Sequence, residues 1–303
     1  MRGLVFGLLA AAIWGGMYVV SDVVLKIIPP FTLLTIRLVL GILVLGVMLY
    51  FQRSRLQRPT TSQLLQLIGI GILGFGISVG AQFVGTDEST AINGSLVTSA
   101  SPAFILVFAA ILLREKLTLQ RITAIVLAML GVIIIIDPSK ADFSSETFRG
   151  NVALAIAAVT WGLYSILIRR VSAKMDTLVV TFVAFIGGLI LTIPASAIEL
   201  QTRPVGSIDI GTILGILYLG IISTAGAMWL WNRAFALVDA SIASLTFFAQ
   251  PLVGTVLSVI LLHQQILPPL IIGGSMIILG VLLSIYSPGK IFSLSRLAKF
   301  SSK

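Results

Sequence analysis

Arg37 is a strong charge within the apolar run 31–51. At the rise of an α-helix it would lie about 9 Å from the start of that run. If the run crosses a bilayer, an ionised side chain at that depth is costly and marks a functional site by default. We therefore predict that Arg37 belongs to a solute cavity or a gate. Two other interpretations stay open: the long side chain could reach the headgroups, or it could pair with Asp22.

Trp14 and Trp161 occupy equivalent depths in two other apolar runs, 147 positions apart. Each would lie about 15 Å into its helix, which is too deep for an interfacial belt. Tyr18 and Tyr164 follow at helical spacing, so each tyrosine shares a helix face with its tryptophan. We predict that these four rings form the aromatic wall of a cavity, and core packing between helices is the alternative.

Pro102 and Pro251 also form an equivalent pair, 149 positions apart. A proline removes one backbone hydrogen bond and bends its helix, and irregular backbone at depth is tolerated where it borders protein or a wet cavity. We predict that the two prolines are hinges beside a solute pathway. The adjoining Ser99, Ser101 and Gln250 are predicted to hydrogen-bond the solute, or alternatively to join neighbouring helices.

Several chemistries lack the residues they need. The chain has no cysteine and one histidine, His263, so neither a thiol nucleophile nor a metal centre is predicted, and the expected sets of catalytic residues, metal ligands and cofactors are empty. An intramembrane enzyme would need a nucleophile and base at depth, and none is apparent. Because no Asp or Glu lies at mid-depth, proton coupling is predicted to be absent or to run through Asp22.

The whole chain is built from apolar runs that would position these residues. Of 303 residues 57% are hydrophobic and 10% are charged, and the mean hydropathy is +1.10. Soluble domains carry about 25% charged residues, so lipid must surround much of this chain. A spanning helix needs roughly 20 apolar residues. The runs predict ten transmembrane helices at 3–25, 31–51, 63–86, 90–113, 119–136, 151–170, 178–198, 210–235, 239–262 and 268–286.

The basic residues predict how these helices are oriented. With the N-terminus inside, fifteen Lys and Arg fall in inner segments and four in outer ones, with Arg37 inside a span. This alternating bias follows the positive-inside rule and predicts an integral protein of the plasma (inner) membrane with both termini cytoplasmic. Trp229 and Trp231 lie near Arg233 at an inner end and are predicted to be belt residues. The net charge of +9 does not indicate nucleic-acid binding, because the basic residues form no patch with interleaved aromatics.

The two halves repeat each other. Gly71, Pro102 and Gly131 recur at an offset of 149, as Gly220, Pro251 and Gly280. Because each half has five crossings, the second copy must enter from the opposite face, which predicts inverted repeats around a central cavity. The predicted parts are a first five-helix repeat (1–138), an external linker (139–150), a second repeat (151–288) and a cytoplasmic basic tail (289–303).

Local motifs give these repeats a family resemblance. They are Ala12-Ile13-Trp14-Gly15, Arg37 and the run STAINGSLVTSASPAFILVFAAILLREKLT at 89–118, which contains Pro102 and Glu115. The second copy is weaker and has Gln264 where the first has Glu115. The chain resembles the EamA-type branch of the drug/metabolite transporter superfamily. That resemblance implies ten helices in two inverted halves, a central cavity and, often, export of amino acids, other metabolites or drugs.

These observations predict a secondary transporter. A cavity with aromatic rings, hydroxyls, an amide and one arginine suits a carboxylate-bearing solute with an apolar part. We expect export of a small neutral or zwitterionic metabolite, such as an amino acid, by alternating access. The alternatives are a multidrug efflux carrier and, from another class, a non-transporting membrane scaffold or sensor. The predicted partners are the solute and the lipid bilayer.

Overall fold

The computed structural model describes residues 2–52, 59–89, 94, 97–136, 139, 144–253 and 268–285. Within these ranges the side chains of residues 18, 19, 22, 135, 136, 269, 270, 284 and 285 are not described. The predictions made for the side chains of Tyr18 and Asp22, for His263 and Gln264, and for the basic segment 289–303 therefore lie outside the described residues.

Ten helices make up nearly all of the described chain. They are α1 Arg2–Leu25, α2 Pro30–Gln52, α3 Thr61–Asp87, α4 Ser101–Leu113, α5 Leu119–Ile136, α6 Phe148–Ser172, α7 Thr177–Thr202, α8 Ile210–Leu237, α9 Ala240–Val253 and α10 Pro268–Ile285. The predicted all-α class is confirmed. Apart from α4 and α9, the helix ends lie within four residues of the predicted ends.

Side chains mark several of the helix ends. At the start of α3, the Thr60 hydroxyl accepts a hydrogen bond from the Gln63 backbone N–H, and the Gln63 side chain accepts one from the Thr60 N–H. This capping box satisfies two of the backbone donors that a helix leaves free at its N-terminus. Arg114 ends α4 in the left-handed conformation (φ 55°), which turns the chain towards α5.

Apolar side chains cover the outer surfaces of these helices. Leu43, Ile190 and Ile271 are 60%, 55% and 62% exposed, and many other Ile, Leu and Val side chains are similarly exposed. Contiguous apolar surface of this extent is disfavoured in water and favoured in lipid. The helices α2, α3, α6, α7 and α8 are long and apolar enough to cross a membrane, and the other five hold shorter apolar stretches over the described residues. The protein is an integral membrane protein, and the number of crossings remains a prediction.

Three of the helices change type along their length. Ile72–Val79 in α3 and Tyr218–Gly226 in α8 are π-helical, and Ser244–Phe248 in α9 is a 3-10 segment. Pro251 follows that 3-10 segment, and Pro102 lies in the first turn of α4, just after a turn at Ser99. Each proline therefore follows irregular backbone and does not kink a continuous α-helix. Such segments often mark functional sites.

Two helix contacts recur in reciprocal form between the halves. A Cβ built on Gly41 of α2 would lie 2.7 Å from the Phe185 ring and 3.3 Å from Thr224. A Cβ on Gly188 of α7, its equivalent at an offset of 147, would lie 3.0 Å from Leu38 and 2.6 Å from Phe75. Leu38 and Phe75 are the equivalents of Phe185 and Thr224, at offsets of 147 and 149. A two-fold relation between the halves, as the inverted repeats predict, would produce contacts that exchange partners in this way.

The helices α5 and α10 repeat this reciprocity. A Cβ on Gly131 would lie 2.5 Å from the Gly273 carbonyl oxygen, and a Cβ on Gly280 would lie 2.7 Å from the Ala124 carbonyl oxygen. At the offset of 149, Gly131 matches Gly280 and Ala124 matches Gly273. Glycine is required at both positions because the backbones approach too closely for a side chain.

Candidate functional site

A narrow cavity lies among α1, α2, α3, α4, α6, α8 and α9, and so draws on both halves. It encloses about 490 Å³ of empty space, including its open mouth, of which about 30 Å³ is wide enough for the centre of a water molecule. That is room for about two waters. The lining residues are Trp14, Met17, Arg37, Ser78, Val79, Gln82, Phe83, Thr98, Ser101, Ala157, Trp161, Met228, Phe247 and Gln250. This set of described residues contains no acidic side chain.

Arg37 lines the cavity and is buried, with 1% of its surface exposed. Its Nε donates to the Thr224 hydroxyl at 2.9 Å, and its Nη2 approaches the Ser223 hydroxyl at 3.5 Å. Nη2 also lies 3.4 Å from the Met17 sulfur, and the guanidinium carbon lies 5.0 Å from the centre of the Phe83 ring. Nη1 has no hydrogen-bond partner among the described residues. The guanidinium is thus held along one edge, and its other nitrogen is buried without a partner among the described residues.

Burial at this level argues against the snorkelling interpretation of Arg37. A snorkelling side chain would place its guanidinium in the wet headgroup layer, whereas this one packs between α1, α2, α3 and α8. In the described part of the chain no carboxylate pairs with it, and the Asp22 side chain is not described. The guanidinium is a buried cation with weak partners, which is the arrangement expected where an anionic solute completes the site.

The two predicted tryptophans meet each other. The rings of Trp14 and Trp161 are 5.8 Å apart in an edge-to-face arrangement, and both line the cavity. Trp14 and Trp161 match at the offset of 147, so this contact joins equivalent positions of the two predicted repeats. The Trp14 ring N–H donates to the Ser223 carbonyl at 3.0 Å, whereas the Trp161 ring N–H is buried without a partner among the described residues.

Trp231 completes this aromatic cluster, and its prediction as a belt residue was wrong. The side chain is fully buried and its ring lies 5.4 Å from Trp14 and 6.1 Å from Trp161. Phe247 lies 5.7 Å from the Trp231 ring and lines the cavity. The prediction rested on the closeness of Trp231 to Arg233 in sequence. That closeness does not show whether the Trp231 side chain faces lipid or the neighbouring helices. Trp229 is half-buried and packs on Phe6.

Tyr164 supports the cavity wall without lining it. The ring stacks on Trp161 at 5.0 Å and is fully buried. Its hydroxyl hydrogen-bonds the Asn232 side-chain oxygen at 3.2 Å, and Asn232 in turn donates to Thr181 at 3.0 Å. This polar network fixes the orientation of the Tyr164 ring, against which Trp161 stacks.

The residues beside the prolines divide into two groups. Ser101 and Gln250 line the cavity and are buried. Ser99 is also buried but is not among the lining residues. Pro102 is buried and Pro251 half-buried, each adjoining one of the two lining residues.

Other lining residues escaped the sequence reasoning. Met17, Met228, Val79 and Phe83 are apolar residues in apolar helices, and such residues carry no signal that separates a cavity wall from a lipid face. Ser78, Gln82 and Thr98 are polar residues within apolar runs, which could have identified them. The Ser78 hydroxyl donates to the Ala157 carbonyl at 2.9 Å and joins α3 to α6.

An ionic network joins the helix ends on the side predicted to be inner. The Glu115 carboxylate accepts hydrogen bonds from the backbone N–H of Ala240 at 2.9 Å and from the Ser241 hydroxyl at 2.8 Å, and thereby caps α9. It also lies 3.4 Å from Arg121 and 3.5 Å from Arg169, and both arginines contact Asp239. The network joins the ends of α4 and α5 to those of α6 and α9.

A smaller ion pair lies on the opposite side. Arg203, at the end of α7, pairs with Asp87 at the end of α3. The same guanidinium donates to the Leu25 carbonyl at 2.9 Å, which brings in α1. Both groups are more exposed than Glu115, so this ion pair contributes less to stability than the Glu115 network.

Comparisons with known proteins bear on the family and on the fold. The profile of the EamA-like transporter family matches residues 1–137 and 148–286. An uncharacterized transporter of Archaeoglobus fulgidus is 26% identical over 277 residues, covering 91% of this chain and 94% of the relative. An uncharacterized transporter of Clostridium kluyveri is 25% identical over 308 residues, covering 99% and 98%. One solved crystal structure aligns over 99% of both chains with a TM-score of 0.78 at 21% identity, which is a likeness of fold.

Proposed function

This chain belongs to the EamA-like transporter family, and we propose that it exports a small neutral or zwitterionic metabolite, such as an amino acid, by alternating access. Membrane transport follows from the family and from relatives described as uncharacterized transporters, which this chain matches over nearly their whole length. The solute class is inferred from the chemistry of the cavity.

One observation carries the solute class: Arg37 is a buried cation with a nitrogen that has no partner among the described residues, at a cavity between the halves. A carboxylate would supply the missing charge and acceptor. The ring N–H of Trp161 is a second donor of this kind at the same wall. Trp14, Trp161, Phe83 and Phe247 offer aromatic surface to an apolar group, and Ser101 and Gln250 offer polar contacts.

Alternating access would follow from two inverted halves. The reciprocal glycine contacts of α2 with α7 and of α5 with α10, and the double match of the family profile, support the repeats. The proposed parts are the repeats 1–138 and 151–288, the external linker 139–150 and the basic tail 289–303. The Lys and Arg bias supports both termini in the cytoplasm and insertion in the plasma (inner) membrane.

The narrow cavity corresponds to one state of such a cycle. Arg37, Met17 and Gln82 lie in the halves of their helices predicted to be outer, and Trp14 and Trp161 lie near mid-depth. Trp231, Phe247 and the Glu115 network lie towards the predicted inner side. For solute to leave to either side, the cluster or the outer ion pair must open. Pro102 and Pro251, beside irregular backbone, are the proposed hinges.

The direct experiment is solute binding followed by flux. The purified protein is screened by thermal shift against amino acids and common metabolites, because a solute that binds the native state raises its apparent stability. Each hit is then tested for flux in proteoliposomes, with Arg37→Ala and Arg37→Lys beside the wild type. We expect Arg37→Ala to lower flux about a hundredfold or more with normal insertion. Partial flux is expected for Arg37→Lys, since the charge remains. Wild-type flux in Arg37→Ala would overturn the proposal.

A second candidate, multidrug efflux, draws support from Met17 and Met228 at the cavity wall. Methionine adapts to ligands of different shape and is common at promiscuous binding surfaces. This alternative predicts that hydrophobic cations and neutral drugs are carried equally well by Arg37→Ala and by the wild type. A non-transporting scaffold or sensor would produce no flux of any solute.

A further inference from the structure

Thr224 makes an unusual hydrogen bond inside its own helix. Its hydroxyl oxygen lies 2.7 Å from the Leu219 carbonyl oxygen, five residues earlier. In the regular α-helices, the hydroxyls of Thr160, Ser165 and Thr181 bond carbonyls four residues earlier. The difference arises because Thr224 lies in the π-helical segment Tyr218–Gly226, whose backbone ladder runs from i to i+5.

This bond fixes the direction of the contact with Arg37. A threonine hydroxyl has one proton to donate and lone pairs to accept with. The Leu219 carbonyl can only accept, so the Thr224 proton points to it, and the oxygen lone pairs are left to accept the Arg37 Nε–H at 2.9 Å. Since Thr224 is 2% exposed, no water competes for this position. The hydroxyl therefore acts as a fixed acceptor for one edge of the guanidinium.

The same π-helical segment holds a second residue that contacts the cavity wall. The Ser223 carbonyl accepts the Trp14 ring N–H at 3.0 Å, and the Ser223 hydroxyl lies 3.5 Å from Arg37 Nη2. The second half of the chain thus orients both the cation and one aromatic ring that the first half contributes. Because Nε and Nη2 are taken up by α8 and by Met17, Nη1 is the end of the guanidinium that is left for a ligand.

We propose that Thr224 is the positioning residue for Arg37, and that the site it creates takes one carboxylate oxygen on Nη1. This deepens, and rests on, the proposed function. The site carries a single positive charge among its described lining residues, so its ligand class is a monoanionic carboxylate or the carboxylate of a zwitterion. A phosphate monoester, with close to two negative charges, would leave one of them without a partner in a buried site.

The first test detects the Arg37–Thr224 hydrogen bond without any solute. In protein labelled with ¹⁵N-arginine and reconstituted in nanodiscs, the Arg37 Nε–H resonance is assigned by its loss in Arg37→Lys. We expect that proton to resonate downfield, as a hydrogen-bonded N–H does, in the wild type and in Thr224→Ser, and to move upfield in Thr224→Val. Thr160→Val, which removes a hydroxyl bonded to carbonyls of its own helix, should leave the resonance unchanged. A wild-type chemical shift retained in Thr224→Val would overturn the positioning role.

The second test asks what the position of Arg37 selects. The probes are phenylacetate, phenylalanine and phenethylamine, which share a ring and differ in charge. Thr224→Val should raise KM for phenylacetate and phenylalanine about tenfold with little change in maximal rate, and Thr224→Ser should restore it. A uniform fall in the rates of all three probes would reduce Thr224 to a purely structural role and overturn the inference. If the wild type carries none of the probes, the proposed solute class is wrong, and the chemical shift of the Arg37 Nε–H still decides the role of Thr224.

Discussion

The two halves of the molecule carry different chemistry at equivalent positions. Around the first position the residues are Arg37, Met17, Ser223 and Thr224; at the corresponding positions, offset by 147 or 149, they are Ala184, Tyr164, Gly74 and Phe75. In the first set a cation is held by hydroxyls. In the second set Phe75 packs edge-to-face on Tyr164 at 5.2 Å, and Gly74 makes room for the Tyr164 ring.

This contrast separates the scaffold from the site. The reciprocal glycine contacts lie between the halves and use equivalent residues of each, because both helix pairs need a close approach. Among the described residues only the first set holds a cation, so we expect the proposed ligand to bind against the first half and α8. The second set packs behind Trp161, through the ring of Tyr164. If the halves are inverted repeats, as proposed, the pathway between them would then have one asymmetric binding site.

The largest effect is expected when an arginine is placed at position 184, the equivalent of position 37 in the second half. Ala184 is fully buried, and Ala184→Arg would bury a guanidinium where Gly74 and Phe75 stand in place of Ser223 and Thr224. A buried charge without a partner costs about 3–5 kcal/mol. We expect the variant to be lost from the membrane or to aggregate on size-exclusion chromatography. If the double variant Arg37→Ala/Ala184→Arg were active, positions 37 and 184 would be interchangeable. The contrast between the two halves would then be wrong.

The next effect sharpens the packing side of the comparison. Gly71 and Gly220 are equivalent, but a Cβ on Gly71 would overlap the Ala184 carbonyl, whereas a Cβ on Gly220 would meet the Leu40 side chain at 2.5 Å. The Leu40 Cδ1 can rotate away but the Leu40 Cβ at 2.8 Å cannot, so both positions are tight, and the contact with the Ala184 backbone is the closer and less adaptable one. Overpacking costs about 1–3 kcal/mol, so Gly71→Ala should lower the apparent melting temperature clearly more than Gly220→Ala. Equal shifts in a thermal unfolding assay would count against a close backbone contact between Gly71 and Ala184.

The smallest effect concerns the two capping glutamates. Glu115 caps α9 and also pairs with Arg121 and Arg169, while Glu199 accepts the Thr32 backbone N–H at 2.9 Å and caps α2. Glu115→Gln removes the charge from both the cap and the ion pairs, and should lower stability by about 2 kcal/mol. Glu199→Gln is the matched control for the cap alone and should cost less. The melting temperatures of the two variants in one detergent decide between these outcomes.

The sequence predicted the scaffold better than the site, for physical reasons. The apolar runs and the charge bias reflect insertion in a membrane, and the repeated glycines reflect close helix contact. These patterns can be recognised in the sequence alone. Arg37, Trp14 and Trp161 were found because a charge or a tryptophan at depth is unusual. The π-helical segment that orients Arg37 was not predicted, since Tyr218–Gly226 has no composition that distinguishes it from α-helix. Trp231 was misassigned because distance along α8 does not report which side of the helix faces the partner helices.

The most direct test of the central claim is the accessibility of the cavity to water. The chain has no cysteine, so single-cysteine variants report one position each. Gln82→Cys lies on the cavity wall, and Ile190→Cys, 55% exposed on the helix surface, is the lipid-facing control. We expect a membrane-impermeant maleimide to label Gln82→Cys, with protection by a bound carboxylate solute, and to leave Ile190→Cys unmodified. Equal failure to label both positions, from either side of the membrane and in the presence of solute, would mean that no solute cavity lies between the halves.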